Sequence, residues 1–440
     1  MQPVPVAADF DLLDLHARDP ARYPHLLESS ACGPQGRYDI LFAFPGDSIT
    51  LHDPQAFDFL ALLDQRWKEA AAATVPYTGS LPFHGGWFLF LGYELVQQIE
   101  PQLNLPADSS ALPVASATRI PAAVIHDHRS GERWIIAEQQ HYIDAIGADI
   151  AGLQAPEPAA ALPRFEPVED QAPPYLAAVE RILGYIRDGD VFQVNLSRRW
   201  QCDWPLALRS ERLYRRLRVT NPGPYNGLAT WGDTAVLSSS PERLVEVRGD
   251  RVQTRPIAGT RPRSARAAAD RAFSDELLEH PKERAEHIML IDLERNDVGR
   301  IAIPGSVRVS ELMTLESYAT VHHIVSNVEA TKRPEITPGQ VIRAVFPGGT
   351  ITGCPKVRCM EIIAELEGCG RGAYTGSMGY LNHDGSMDLN ILIRTLVRSE
   401  GSLTFRAGAG IVSDSVPEKE LEETRAKTRG MLSALRGDEA

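Results

Sequence analysis

Apolar residues Tyr175, Val179, Ile182, Leu183 and Ile186 recur at three-and-four spacing behind Pro173 and Pro174, and the pattern stops at Gly189. This predicts a helix entered through proline, where a missing N–H does no harm, and closed by glycine. Immediately afterwards Phe192, Val194 and Leu196 alternate with Gln193, Asn195 and Ser197, which predicts a strand with one polar face. Helical spacing recurs over 57–71, 142–153, 274–294, 355–366 and 417–435. Short apolar runs at 38–44, 86–91, 124–126, 244–247, 252–257, 378–381, 391–397 and 403–407 predict strands. Arg248-Gly249-Asp250 reads as a hairpin turn, and His383-Asp384-Gly385 and Ser399-Glu400-Gly401 as turns of an antiparallel meander. Helices follow groups of strands instead of alternating with them one for one, so the expected class is α+β and not a Rossmann or barrel topology.

Residues 151–174 are dominated by Ala, Pro and Glu and draw no apolar face. We therefore divide the chain into an N-terminal region (1–152), a linker or surface crossing (153–174) and a C-terminal domain (175–436). With 440 residues, 43% of them hydrophobic and 23% charged, the composition is that of a globular chain with a large core. Lys+Arg 45 against Asp+Glu 58 leaves a net charge of -13, which repels nucleic acid and anionic membranes. The start of the chain lacks the pattern of a secretory signal, and the longest apolar run, Trp87 to Leu91, is too short to span a bilayer. The five cysteines show no C-x-x-C spacing and suit reduced thiols, so the expected compartment is the cytoplasm.

Two predicted helices each carry an E-x-x-E pair, Glu283 with Glu286 and Glu420 with Glu423. Residues three apart share a helix face, so each pair offers hard oxygen donors of the kind Mg²⁺ accepts, or else a solvated surface. Phe346 to Lys356 places glycines ahead of a helix begun by proline, the local chemistry of an anion site or of a tight turn; Cys354 stands where a P-loop needs lysine. Arg394 on an apolar strand needs a counter-charge if it points inward, or water if the strand is an edge. Glu242, after Ser238-Ser239-Ser240-Pro241, is either a general acid raised by burial or a surface partner of Arg243 or Arg261. His322 and His323 are adjacent, so one imidazole faces inward in either register.

Six ordered segments resemble the chorismate-utilising enzymes. They are Gly189 to Ser197, Ser240-Pro241-Glu242-Arg243, Pro256 to Arg263, Lys282 to His287, Gly349 to Arg358 and Ala407 to Thr424. The resemblance implies two orthogonally packed antiparallel sheets flanked by helices, as in anthranilate synthase component I, with the N-terminal region interleaved. It implies Mg²⁺ held by Glu286, Glu420 and Glu423, with Glu283 nearby. Tyr374 and Arg394 then bind the enolpyruvyl carboxylate of chorismate; Gly349, Thr350, Gly410 and Lys427 complete the substrate site. Glu242 matches the general acid, and His323 a histidine on the leaving-group side.

Where water-using relatives carry a lysine this chain has Gln193, which implies ammonia as nucleophile. No cysteine stands in a G-x-C-x-G context, so the resemblance implies a separate glutamine amidotransferase subunit. Ala258, two residues before Thr260, stands where many aminodeoxychorismate synthases carry a lysine, and alanine is usual in anthranilate synthases. Gln193 to Leu196, Arg37-Tyr38-Asp39-Ile40 and Gly92-Tyr93-Glu94 look more like the aminodeoxychorismate enzymes. The expected activity is that of aminodeoxychorismate synthase component I in a lysine-less subgroup, making 4-amino-4-deoxychorismate for 4-aminobenzoate and folate. Anthranilate synthase component I is the alternative, and a chorismate or tryptophan sensor the non-enzymatic one. Leu26 to Ser30 resembles the segment that lines a tryptophan pocket in the amino-transferring members, which nominates Glu28 and Ser29.

Overall fold

In a computed structural model the described residues are 3–31, 36–73, 77–154, 162–263, 266, 270–271, 275, 281–317 and 321–437, without the side chains at 260–262, 281–283 and 321. Among them are a 12-stranded and a 10-stranded sheet, and every pairing between their strands is antiparallel. Each sheet is shared by both halves of the chain. In the larger, His25–Glu28 pairs with Tyr225–Trp231, with Leu26 opposite Leu228. In the smaller, Gly86–Leu91 pairs with Ser377–Asn382, with Leu89 opposite Gly379. Cutting near residue 152 would therefore open both ladders, and the first half is interleaved with the second.

The run Trp87 to Leu91 is wholly buried because its strand has protein on both faces. Phe88 and Phe90 enter a layer with Ile40, Phe42, Ile125 and Val236 of the larger sheet. Trp87, Leu89 and Leu91 turn the other way, onto Leu60, Leu63, Val341 and Ile342 of the helices Phe59–Ala73 and Pro338–Val345. A strand buried on both faces loses the alternation of a half-exposed one. Each such aromatic or leucine side chain adds about 1.5–3 kcal/mol by leaving water. No helix among the described residues is long and apolar enough to cross a membrane.

Two expected elements differ. The helix after the low-complexity stretch begins at Ala172, inside the span read as linker, with its prolines in the first turn; just before it, Val168–Glu169 pairs with Trp200 and Gln201. The expected strand 391–397 is broken: strands end at Asn390 and resume at Thr395, and Arg394 has φ 52. The carbonyl of Arg394 accepts the N–H and the hydroxyl of Ser239, both at 3.1 Å, which holds this uncommon backbone conformation. Apolar content alone could not reveal the break. Pro355 is the residue before the helix Lys356–Glu367, not its first residue. The expected helix 274–294 is described from Pro281 to Gly299.

Candidate functional site

Glu242 follows the strand Thr234–Ser240 and is buried, which overturns the surface alternative; Arg243 pairs with Asp388 at 2.9 Å instead. The Ile257 N–H points at Glu242 Oε1 from 3.4 Å, and the Thr350 hydroxyl stands beside the carboxyl. Burial pushes the Glu242 carboxyl up to about 7, and the nearby Glu294 charge acts in the same direction. Such a group keeps a substantial protonated fraction near neutral pH, where an ordinary glutamate keeps almost none, and has a proton to give.

Arg394 is lifted from its broken strand towards Glu242 and His323, whose titrations it affects or feels. No hydrogen bond or ion pair from the described residues engages its guanidinium, and burial lowers its pKa. A guanidinium so placed is prepared for an anionic ligand. His323 is buried and held neutral, its pKa pressed to about 3 by desolvation first and then by Arg394; Nδ1 lies 3.4 Å from the Gly259 carbonyl. His322 is separately occupied, with Ser317 Oγ at 2.7 Å and Asp270 at 3.1 Å.

The polar face of the strand Gln193–Asp203 meets the glycines of Ser402–Ile411, with Asn195 opposite Gly410 and Ser197 opposite Gly408. A Cβ on Gly410 would lie 2.4 Å from Gln193 Nε2. On Gly408 it would lie 2.6 Å from Asn195 Oδ1 and 2.7 Å from the Tyr374 hydroxyl. The glycines thus let three polar side chains settle against bare backbone. Gln193 Oε1 and Asn195 Oδ1 are buried without a hydrogen-bond partner. Orphaned acceptors of this kind mark a place where a donor is expected to bind. Lys427 reaches the same strand, donating to the Gly408 carbonyl at 2.9 Å, and pairs with Glu423 at 2.8 Å. Gly349 packs on Leu293 and Glu294, in the short turn that carries Thr350.

Ala258 lies opposite Ile324 on the strand Ile257–Pro262, and Thr260 is paired with His323 across a register shift; the Thr260 side chain is outside the described residues, as is that of Glu283. Glu286 is half-buried on its helix and Glu420 is buried on Pro417–Arg436. Glu286, Glu420 and Glu423 do not converge as three ligand atoms within 4.8 Å; among the described residues Asp39, His126 and His128 do. Glu420 and Glu423 share a negative field that helps raise the buried Tyr175 hydroxyl, after the larger effect of desolvation.

Glu28 and Ser29 border a separate cavity of about 300 Å³, with Tyr225, Asn226, Met378 and Tyr380 among its walls. Glu28 is fixed by Arg218 at 2.8 Å, its other oxygen buried without a partner, and burial raises its pKa. Asn195 stands on the polar strand face with Gln193, as the alternation predicts, and Glu294 is the residue of the first site that the sequence does not mark. Glu294, pushed up to about 7 by burial, lies about three turns beyond Glu283 on one helix face, a spacing with many surface precedents.

Two antiparallel sheets that share strands between the halves of the chain, with helices packed on them, define an α+β class, and Arg394 and the buried Glu242 carboxyl lie between its strand ends and glycine turns. Residues 23–433 match the chorismate binding enzyme family, and the chain belongs to it. The anthranilate synthase component I-like protein of Synechocystis is 41% identical over 421 residues, covering 94% of this chain and 84% of that one. Anthranilate synthase component 1 of Thermus thermophilus is 38% identical over 439 residues, covering 94% and 92%. Aminodeoxychorismate synthase component 1 of Bacillus subtilis is 40% identical over 369 residues, covering 80% and 77%. Anthranilate synthase component I from Streptococcus pneumoniae superposes with a TM-score of 0.81 at 32% identity, covering 90% of this chain and 92% of the other.

Proposed function

We propose that this chorismate-binding enzyme is an aminodeoxychorismate synthase component I of the cytoplasm, using ammonia from a separate glutamine amidotransferase subunit. The observation that carries amination is Gln193, whose buried, unpartnered Oε1 is an acceptor for an N–H donor rather than a base for water. Arg394, Tyr374, Lys427 and the backbone at Gly349 and Gly410 hold the two carboxylates. Glu242 gives its proton to the C4 hydroxyl, which leaves as water while ammonia adds at C2. Neutral His323 supports the leaving group by hydrogen bonding. A second ammonia then attacks C4 and expels the first from C2.

Mg²⁺ fits the donor chemistry: Glu420 and Glu423 concentrate negative charge beside Tyr175, and Glu286 adds a carboxylate from a second helix. One or two such carboxylates suffice, since Mg²⁺ keeps waters and takes a substrate anion. When bound, Mg²⁺ would supply Lewis-acid polarisation of the ring carboxylate. Tryptophan is the proposed occupant of the Glu28–Ser29 cavity.

Anthranilate synthase is the second reading, favoured by Ala258 and by the names of most of the relatives compared. A product assay separates them. With chorismate and ammonium salt, 4-amino-4-deoxychorismate is expected, converted to 4-aminobenzoate only when a lyase is added. Anthranilate released with equimolar pyruvate and no lyase would establish the second reading.

A further inference from the structure

A metal-ligand constellation lies outside the chorismate site, on the ladder between the strands Tyr38–Ala43 and Ala122–Asp127. Asp39 sits directly opposite His126, and His128, in the turn just past the strand's end, also reaches the Asp39 carboxylate. The His128 N–H continues the ladder by donating to the Arg37 carbonyl at 2.8 Å. Asp39 Oδ2 lies 2.8 Å from His128 Nε2 and 3.4 Å from His126 Nδ1, and all three ligand atoms fall within 4.8 Å of one another. A tetrahedral ion with bonds of about 2.0–2.1 Å needs ligand atoms roughly 3.3–3.4 Å apart. Side-chain adjustment alone spans that difference.

We propose that Asp39, His126 and His128 form a Zn²⁺-class site, with the fourth position open to water. Two imidazole nitrogens and one carboxylate oxygen favour Zn²⁺ or Co²⁺ over Mg²⁺, which prefers an all-oxygen shell. Asp39 and His126 stand on a paired ladder, and His128 opens the turn that follows it, tied back by its N–H bond to the Arg37 carbonyl. The second oxygen of the carboxylate is already oriented: Asp39 Oδ1 accepts the Ser29 N–H at 2.8 Å. The side chain of His128 is 36% exposed, which leaves a path for the ion. Since Ser29 is also a wall of the 300 Å³ cavity, the ion would be one hydrogen bond from any ligand there.

The test is a Co²⁺ titration of the full, tag-free chain after chelator treatment. One Co²⁺ per chain with the visible absorption of four- or five-coordination is expected, displaced by stoichiometric Zn²⁺ and not by a hundredfold excess of Mg²⁺. His126→Gln and His128→Gln should each weaken binding at least tenfold. Zinc-edge X-ray absorption of the unmodified chain gives a second readout that requires no variant, and two imidazoles in a nitrogen and oxygen shell are expected. Absence of one-to-one binding, displacement by Mg²⁺, or a sulfur shell drawn from the cysteines would overturn the assignment.

Discussion

The Glu94 carboxylate accepts the backbone N–H of Arg371 at 2.7 Å and that of Gly372 at 3.1 Å. Glu94 belongs to the N-terminal region, and the loop it fastens delivers Tyr374 to the Gly408 strand. The first half of the chain is therefore part of the candidate site's scaffold. Replacing Glu94 by alanine orphans two buried N–H groups, each costing about 1–3 kcal/mol. Glu94→Ala is expected to lower Tm and raise KM for chorismate, whereas Glu94→Gln, which keeps an acceptor, should retain most of both. Equal losses in the two variants would show that charge, not the loop bonds, matters.

Glu242 makes opposite demands on stability and activity. Burial raises its folded pKa to about 7 from the ordinary 4.5. The folded state thus binds the extra proton, and this group's contribution is greatest below about pH 4.5 and is lost as pH rises through about 7. Glu242→Gln should leave Tm nearly unchanged at about pH 5 and stabilise the chain by about 2–3 kcal/mol at about pH 8, where the parent must ionise a buried carboxyl. The same variant should lose roughly 100- to 10,000-fold in kcat, the usual share of a general acid. Thermal melts at the two pH values and steady-state kinetics check both signs.

Arg394 carries the reverse signature of a structural arginine. It makes no hydrogen bond within the described residues, and burial already disfavours its charge. Arg394→Gln should hold or raise the Tm of the ligand-free chain. Removing a charge-assisted bond worth about 1.5–3 kcal/mol should raise KM for chorismate roughly ten- to a hundredfold. A fall in Tm with unchanged KM would assign the residue to the fold instead.

The sequence showed this division only in part. The helix behind Pro173 and Pro174 and the Gln193 strand were legible because period and punctuation agreed. Trp87 to Leu91 was legible as apolar but not as two-faced, since burial on both sides depends on Pro338–Val345, far along the chain. Arg394 was legible as a site residue, but the strand break that carries it was not, because Ser239, not any neighbour in sequence, holds its φ. The Glu242 choice between surface and site needed its burial, which no local pattern encodes. Asp39 with His126 is a cross-strand pair visible only once register is known.

Mg²⁺ dependence should be strict. Glu420→Gln keeps the buried shape and removes one negative donor, so turnover should fall about 100-fold or more, roughly 3 kcal/mol. Excess chelator should give the same loss in the parent, reversed by Mg²⁺. Full activity of the chain in chelator would remove the metal from the reaction.

The identity of residue 258 bears directly on the chemical route. Alanine has no nucleophile, so no covalent bond to substrate C2 can form from the strand Ile257–Pro262 at this position. On the proposed route the first ammonia takes the place a lysine amine would hold: two ammonia molecules add in sequence, the first is released again from C2, and one is consumed net. Denaturing the chain during turnover should show its unmodified mass. With ¹⁵N-ammonium supplied after a pulse of ¹⁴N-ammonium, the label retained at C4 should be that of the later addition. Ala258→Lys places an amine opposite Ile324, and during turnover it should yield a substrate-sized adduct and remove the need for an ammonia addition at C2. An adduct on the unaltered chain would point to another nucleophile in the site and end the two-ammonia route.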